Sequence, residues 1–202
     1  MTGMDNALDA DVYRTIVLGH YIQYWGLPDK RRIVRDGAGA PLFEAYAFPA
    51  QGAGRPFRIA SVGLAHTIKA DGERDGREYY MALEDGLGGA TLEQVFDYAA
   101  AAAMQIAAGA ERPELPHALK PAVAAPAAWS STALLLDQPS AENEGFDTLC
   151  IACRFDLEIV WLIPLHEAEY RFIAEHGIDD FDELVQASDQ SLIDPARAGL
   201  VV

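Results

Sequence analysis

Apolar residues recur at helical spacing in DADVYRTIVLGHYIQYWG, residues 9–26, where Val12, Ile16, Val17, His20 and Tyr24 fall near one face and Gly26 can end the helix. Pro28 and Asp29 then turn the chain. Three stretches with strand character follow: LFEAYAF (42–48), FRIASVGL (57–64) and EYYMALE (78–84). In the first, Leu42, Glu44, Tyr46 and Phe48 alternate with Phe43, Ala45 and Ala47; in the third, Tyr79, Met81 and Leu83 share a face. Glycine-rich connections make antiparallel neighbours of them. Thr91 with Gln94 forms a capping-box pattern, and the stripe Leu92, Val95, Phe96, Ala99, Ala103 and Ile106 predicts a helix stopping near Gly109. Its alanine run favours the helix and lets it sit close to a sheet.

Residues 111–128 carry Pro113, Pro116, Pro121 and Pro126, which forbid a long helix and leave a long connection. TALLLD (132–137), TLCIACRF (148–155) and LEIVWLIP (157–164) are nearly continuous apolar runs, the mark of central strands covered on both faces. HEAEYRFIAEHG (166–177) predicts a short helix stopped by Gly177, and a second helix begins at about Asp180. This order implies an α+β fold, a mixed, largely antiparallel sheet covered by helices, in one domain over residues 1–202 with 1–9 as a flexible terminus. Phe96, Trp161, Leu162, Ile163 and Phe172 are expected in its core.

Composition fits this picture: 202 residues, half of them apolar and 23% charged, are enough for a sizeable core. No apolar run reaches the roughly 18 residues of a membrane span, and the first residues carry acids where a signal peptide is basic. The expectation is a soluble, cytoplasmic protein with no membrane partner. The formal charge of −16 is uneven. Residues 1–77 hold nine acids and ten bases, whereas residues 78–202 hold 22 acids and five bases, a net −17. Such a surface repels phosphates, which argues against nucleic acid, and attracts a basic partner.

The candidate chemistry fails on spacing. His166-Glu167 lacks the second histidine one turn on that a zinc helix needs; Tyr170 stands there, and His176 is ten residues away. Cys150 and Cys153 form a lone Cys-x-x-Cys inside a strand-like run, where the two side chains point to opposite faces, and no second pair completes a zinc ribbon. Gly86, Gly88 and Gly89 lie between strand and helix, but no Walker lysine follows. No Gly-x-Ser-x-Gly elbow surrounds Ser130 or Ser131, and His20, His66, His117, His166 and His176 are scattered. No catalytic residue, metal or cofactor is therefore assigned. The assigned surface is Asp179, Asp180, Asp182 and Glu183 at the start of the last helix, with Glu84 and Asp85 beside the glycine turn, as contacts to a protein partner. Asp179 or Asp180 with Glu183 also fits helix capping.

FDTLCIACRFDLEIVWLIPLHEAEYRFIAEHGIDDFDELV, ending in DPARAGLVV, resembles the Suppressor-of-fused (SUFU-like) domain family, especially its bacterial members. The resemblance rests on Trp161-Leu162-Ile163-Pro164-Leu165, Glu167, Glu169, His176-Gly177 and Phe181, supported upstream by Gly63-Leu64, Glu78–Glu84 and the Asp137-x-Pro139 strand end. It spans roughly residues 10 to 200. The family often has Thr or Ser where His166 stands, and the groove aromatic of its animal members falls near Ile59 here. The resemblance implies a non-enzymatic binding domain. Animal members clamp a transcription-factor peptide as an added strand; bacterial members are thought to be immunity proteins that neutralise polymorphic toxins. Three readings follow: an immunity protein for a basic toxin domain, a regulatory module capturing an extended peptide, and a hydrolase or metal enzyme without a recognisable motif.

Overall fold

A computed structural model describes residues 3–52, 54–66, 76–84, 86–109, 112–151 and 155–201. Its elements are α1 (Gly3–Trp25), β1 (Lys30–Arg35), β2 (Pro41–Phe48), β3 (Phe57–Val62), β4 (Arg77–Leu83), a 3₁₀ turn (Leu87–Gly89), α2 (Leu92–Ala107), β5 (His117–Leu119), β6 (Ala133–Asp137), β7 (Thr148–Ile151), β8 (Phe155–Leu165), α3 (Glu167–His176) and α4 (Ile178–Gln186).

The strands form one mixed sheet in the order β1-β2-β3-β4-β8-β6-β5, with β7 pairing to β8. All pairs are antiparallel except β4 with β8, where Arg77 faces Glu158 and Tyr80 faces Trp161. The long β8 serves two neighbours in turn: Phe155–Glu158 pair with β7, and Trp161–Leu165 pair with β6. The expected fold class is the one observed.

Each face of the sheet carries a helical layer. On one face Phe43, Ile59, Met81 and Leu162 meet Val95, Phe96 and Ala103 of α2, whose stripe and Thr91–Gln94 capping box are as the spacing predicts. On the other face Phe48, Tyr80, Trp161 and Ile163 meet α1 and Phe181 of α4. Full burial of one such large side chain contributes about 1.5–3 kcal/mol. Because both faces are covered, β4 is buried along its whole length, and it reads as a two-sided rather than an alternating strand.

Several expectations need correction. The buried row of α1 is Tyr13, Val17, Tyr21 and Trp25, spaced every fourth residue, while Val12 is 50% exposed. The rings win because they bury the larger area and stack on one another, Tyr21 on Trp25 at 4.7 Å. α1 runs from Gly3 to Trp25. Two strands are additions: β1, KRRIVR, has one buried residue, Val34, and β5 is three residues inside the proline-rich connection. The run 148–155 is two strands, with residues 152–154, including Cys153, outside those described. α4 starts at Ile178 with Gly177 as its N-cap and no capping side chain, so the carboxylates do not cap it. Gly177, at φ 96°, joins α3 directly to α4, a backbone position that suits glycine. Finally, Phe172 is only partly buried and stacks on His176 at 4.4 Å, whereas Phe96, Trp161, Leu162 and Ile163 are buried.

Candidate functional site

α4 exists because one side chain holds it down. Phe181 is fully buried under the sheet, and it is the one buried residue of the helix. Docking Phe181 leaves Asp179, Asp180, Asp182 and Glu183 on solvent-facing positions, all exposed. Asp179 with Asp182, Asp179 with Glu183 and Asp180 with Glu183 stand three or four residues apart, so like charges face one another on the helix surface. Asp182 also acts on Asp137 at the end of β6: burial first, then the Asp182 charge, push the Asp137 carboxyl above its ordinary range.

Among the described residues no base neutralises this face. The five bases of residues 78–202 are Arg112, Lys120, Arg154, Arg171 and Arg197. Arg154 lies outside the described residues, and each of the other four is engaged. Arg112 pairs with Glu158, Lys120 lies 2.6 Å and Arg171 3.1 Å from Glu167, and Arg197 lies 2.5 Å from Glu169. Among the described residues no base pairs with the α4 carboxylates.

The structure does not join Glu84 to this group. Glu84 is exposed just past β4, where its backbone N–H donates to Ile193 O at 3.0 Å. Asp85 lies outside the described residues. Among the described residues no hydrogen bond or ion pair links Glu84 to α4.

His20, His166, His176, Ser130 and Ser131 are each placed by contacts within the fold. His20 Nε2 is 2.9 Å from Phe146 O, and His176 Nδ1 is 3.2 Å from Phe172 O. His166 occupies the N-cap of α3, and its backbone N–H donates to Glu169 at 2.8 Å. Ser130 and Ser131 donate their hydroxyls to backbone carbonyls, not to a base that could activate them. Among the described residues no group of three or more His, Cys, Asp or Glu is placed to hold a metal ion. No helix among them is long and apolar enough to cross a membrane.

Three buried charge clusters were invisible to local spacing because their partners are far apart in sequence. Glu142 accepts two bonds from Arg58, at 2.8 and 3.0 Å, and one from Trp25 Nε1 at 3.1 Å, beside a cavity of about 220 Å³. Glu78 is fully buried and accepts from Tyr13 OH (3.1 Å), Ser61 Oγ (2.5 Å), Gly63 N (2.7 Å) and Ala65 N (3.2 Å). Burial raises its pKa, and these bonds oppose the rise. Glu169, also fully buried, takes two bonds from Arg197. Burial alone would raise its pKa, but Arg197 and the N–H groups of Leu200 and His166 hold it below the ordinary range.

The architecture is thus a helix-flanked mixed sheet carrying an acidic helix whose carboxylates pair with no base among the described residues. No family model matches the chain, and no curated protein matches it in sequence. Its structure is similar to that of a protein described as a SUFU (suppressor of fused) homolog from Neisseria gonorrhoeae, with a TM-score of 0.73, 17% identity, and 99% of each chain covered. It is also similar to Drosophila Suppressor of Fused, with a TM-score of 0.62 and 11% identity, covering 93% of this chain and 51% of that one. The fold of this chain is the suppressor-of-fused fold, as the resemblance in sequence implies.

Proposed function

We propose that this chain is a non-catalytic protein-binding domain, a SUFU-like immunity protein that neutralises a basic toxin domain. The observation that carries the reading is the face of α4: four exposed carboxylates with no base paired to them among the described residues, on a helix held to the sheet by Phe181. Such a face raises the capture rate of a cationic partner by about 10- to 1000-fold at low salt, and it repels nucleic acid. The suppressor-of-fused fold supports the binding role, and the Ser130 and Ser131 hydroxyls and the His20 and His176 rings are engaged with backbone carbonyls. Residues 78–202 would supply the attraction, with Glu84 and Asp85 among the charges that contribute to it.

A second reading, capture of an extended peptide by a regulatory module, is favoured by the sheet edge at β1, which among the described residues pairs with β2 alone. The experiment that separates them is capture from the native host, followed by binding of the purified partner at low and high salt. Immunity predicts a basic, cytotoxic partner whose association slows steeply with salt. A disordered partner bound independently of salt overturns that reading in favour of the second.

A further inference from the structure

Past α4 the chain lies across the molecule as a strap, and it is held like a bound peptide. The Pro195 carbonyl oxygen receives three donors, Ser130 N at 3.1 Å, Ser131 N at 3.2 Å and Ser131 Oγ at 3.1 Å, while Ser130 Oγ donates to the nearer Arg197 O at 3.0 Å. The Pro195 ring sits against Trp129 in space left open by Gly88, where a Cβ would lie 2.6 Å from Pro195 Cγ. Two residues on, Arg197 places two N–H groups on Glu169 at 2.5 and 2.7 Å, and Leu200 N adds a third donor at 2.9 Å.

Every receiving group belongs to the body of the fold: the turn before α2, the start of β6, and α3. A strap selected only for stability would be apolar, because a buried ion pair adds little net stability over packed hydrophobic side chains. What the pair does supply is selectivity, since the wrong side chain leaves a buried carboxylate unpaired. Two buried nitrogens at this place, Arg197 Nε and His166 Nε2, have no hydrogen-bond partner, so the strap meets the site's polar groups incompletely.

We propose that Gly88, Trp129, Ser130, Ser131 and Glu169 form a recognition site for a proline-x-arginine segment, filled in cis by Asp194–Leu200. The strap is a turn here, closed by Arg197 N donating to Asp194 O at 3.2 Å and Ala196 N to the Asp194 carboxylate at 2.9 Å, and a proline-x-arginine turn of a protein partner takes the same place when the strap leaves. This deepens the protein-binding reading, on which it rests, by naming the chemistry of the partner: a cationic segment whose arginine reaches Glu169.

The test uses the full chain with Arg197→Ala and a fluorescent peptide of the strap sequence, Asp-Pro-Ala-Arg-Ala-Gly-Leu. The peptide should bind the variant about tenfold or more tightly than it binds the unmodified chain, where the strap competes. Replacing the peptide's arginine by alanine, or adding Glu169→Gln to the protein, should each weaken binding by about tenfold or more. A folded variant that binds no better than the unmodified chain, or binds both peptides alike, overturns the proposal. So does a variant that cannot fold, since the strap is then part of the folding core and not a ligand. In the unmodified chain, the amides of Arg197 and Leu200 should exchange with solvent faster than those of β8, through opening of the strap alone. Exchange only with global unfolding has the same overturning force. No natural partner is needed, so failure here leaves the acidic-face reading standing, and loss of the salt dependence leaves this one.

Discussion

If the acids of α4 serve a partner and not the fold, the protein should gain stability when they are removed. Asp182→Asn with Glu183→Gln deletes all three like-charge contacts on the helix and the pressure of Asp182 on Asp137. Each like-charge pair at this spacing destabilises a helix by about 0.2–0.5 kcal/mol, so three sum to about 1 kcal/mol. Asp179 and Asp180, kept in the first turn, retain their favourable interaction with the positive end of the helix. For a domain of this size the melting temperature should rise by about 2–4 °C. Urea denaturation and a thermal melt, both at low salt, measure it. The same variant should bind a basic partner several-fold more slowly, by about the loss of two steering charges. A loss of stability would refute the reasoning: the carboxylates would then be structural, and the argument for a partner at α4 would lose its basis.

Phe181→Ala should destabilise the protein by about 3–5 kcal/mol, since the fully buried ring leaves a cavity that the sheet cannot collapse to fill; chemical denaturation reads this directly. Glu169 gives an acid-labile contribution. Its folded pKa lies below the unfolded value of about 4.3, so its stabilisation is complete above that value and is lost as pH falls through the folded one. Urea midpoints from pH 3 to 7 should therefore drop below about pH 4 in the unmodified protein and drop less in Glu169→Gln. Glu78 has the opposite sign: its raised pKa means that the fold gains stability as pH falls through the raised value toward the unfolded one, and Glu78→Gln should remove that gain. Glu78→Ala should instead cost about 3 kcal/mol at neutral pH, because four donors lose their acceptor; an unchanged stability would show that water replaces the carboxylate.

The parts of the fold that could be read from sequence are those with local causes. Alternation revealed β2, the continuous apolar run revealed β8, and Thr91 with Gln94 marked the start of α2. β1 was hidden because an edge strand rich in Lys and Arg, with one residue inside, has no apolar period; its charge is what guards the edge. β5 was hidden by its flanking prolines. On α1 two helical rows compete, and spacing alone does not say that aromatic stacking selects Tyr13–Trp25 over Val12–Tyr24. The acidic helix was legible as composition, but its attachment through Phe181 was not. The Glu169–Arg197 pair spans 28 residues and the Glu142–Arg58 pair 84, distances over which no local rule connects a carboxylate to its guanidinium.

The most direct test of the central claim is the association rate of a purified toxin domain captured from the host, measured at about 20 mM and about 500 mM salt with the unmodified chain and with Asp182→Asn/Glu183→Gln. Screening lengths of about 20 Å and about 4 Å bracket the reach of the α4 charges. The account predicts a rate at least about tenfold higher at low salt, with a smaller salt effect in the variant. Equal rates at both salts, or an unchanged salt effect in the variant, would contradict it.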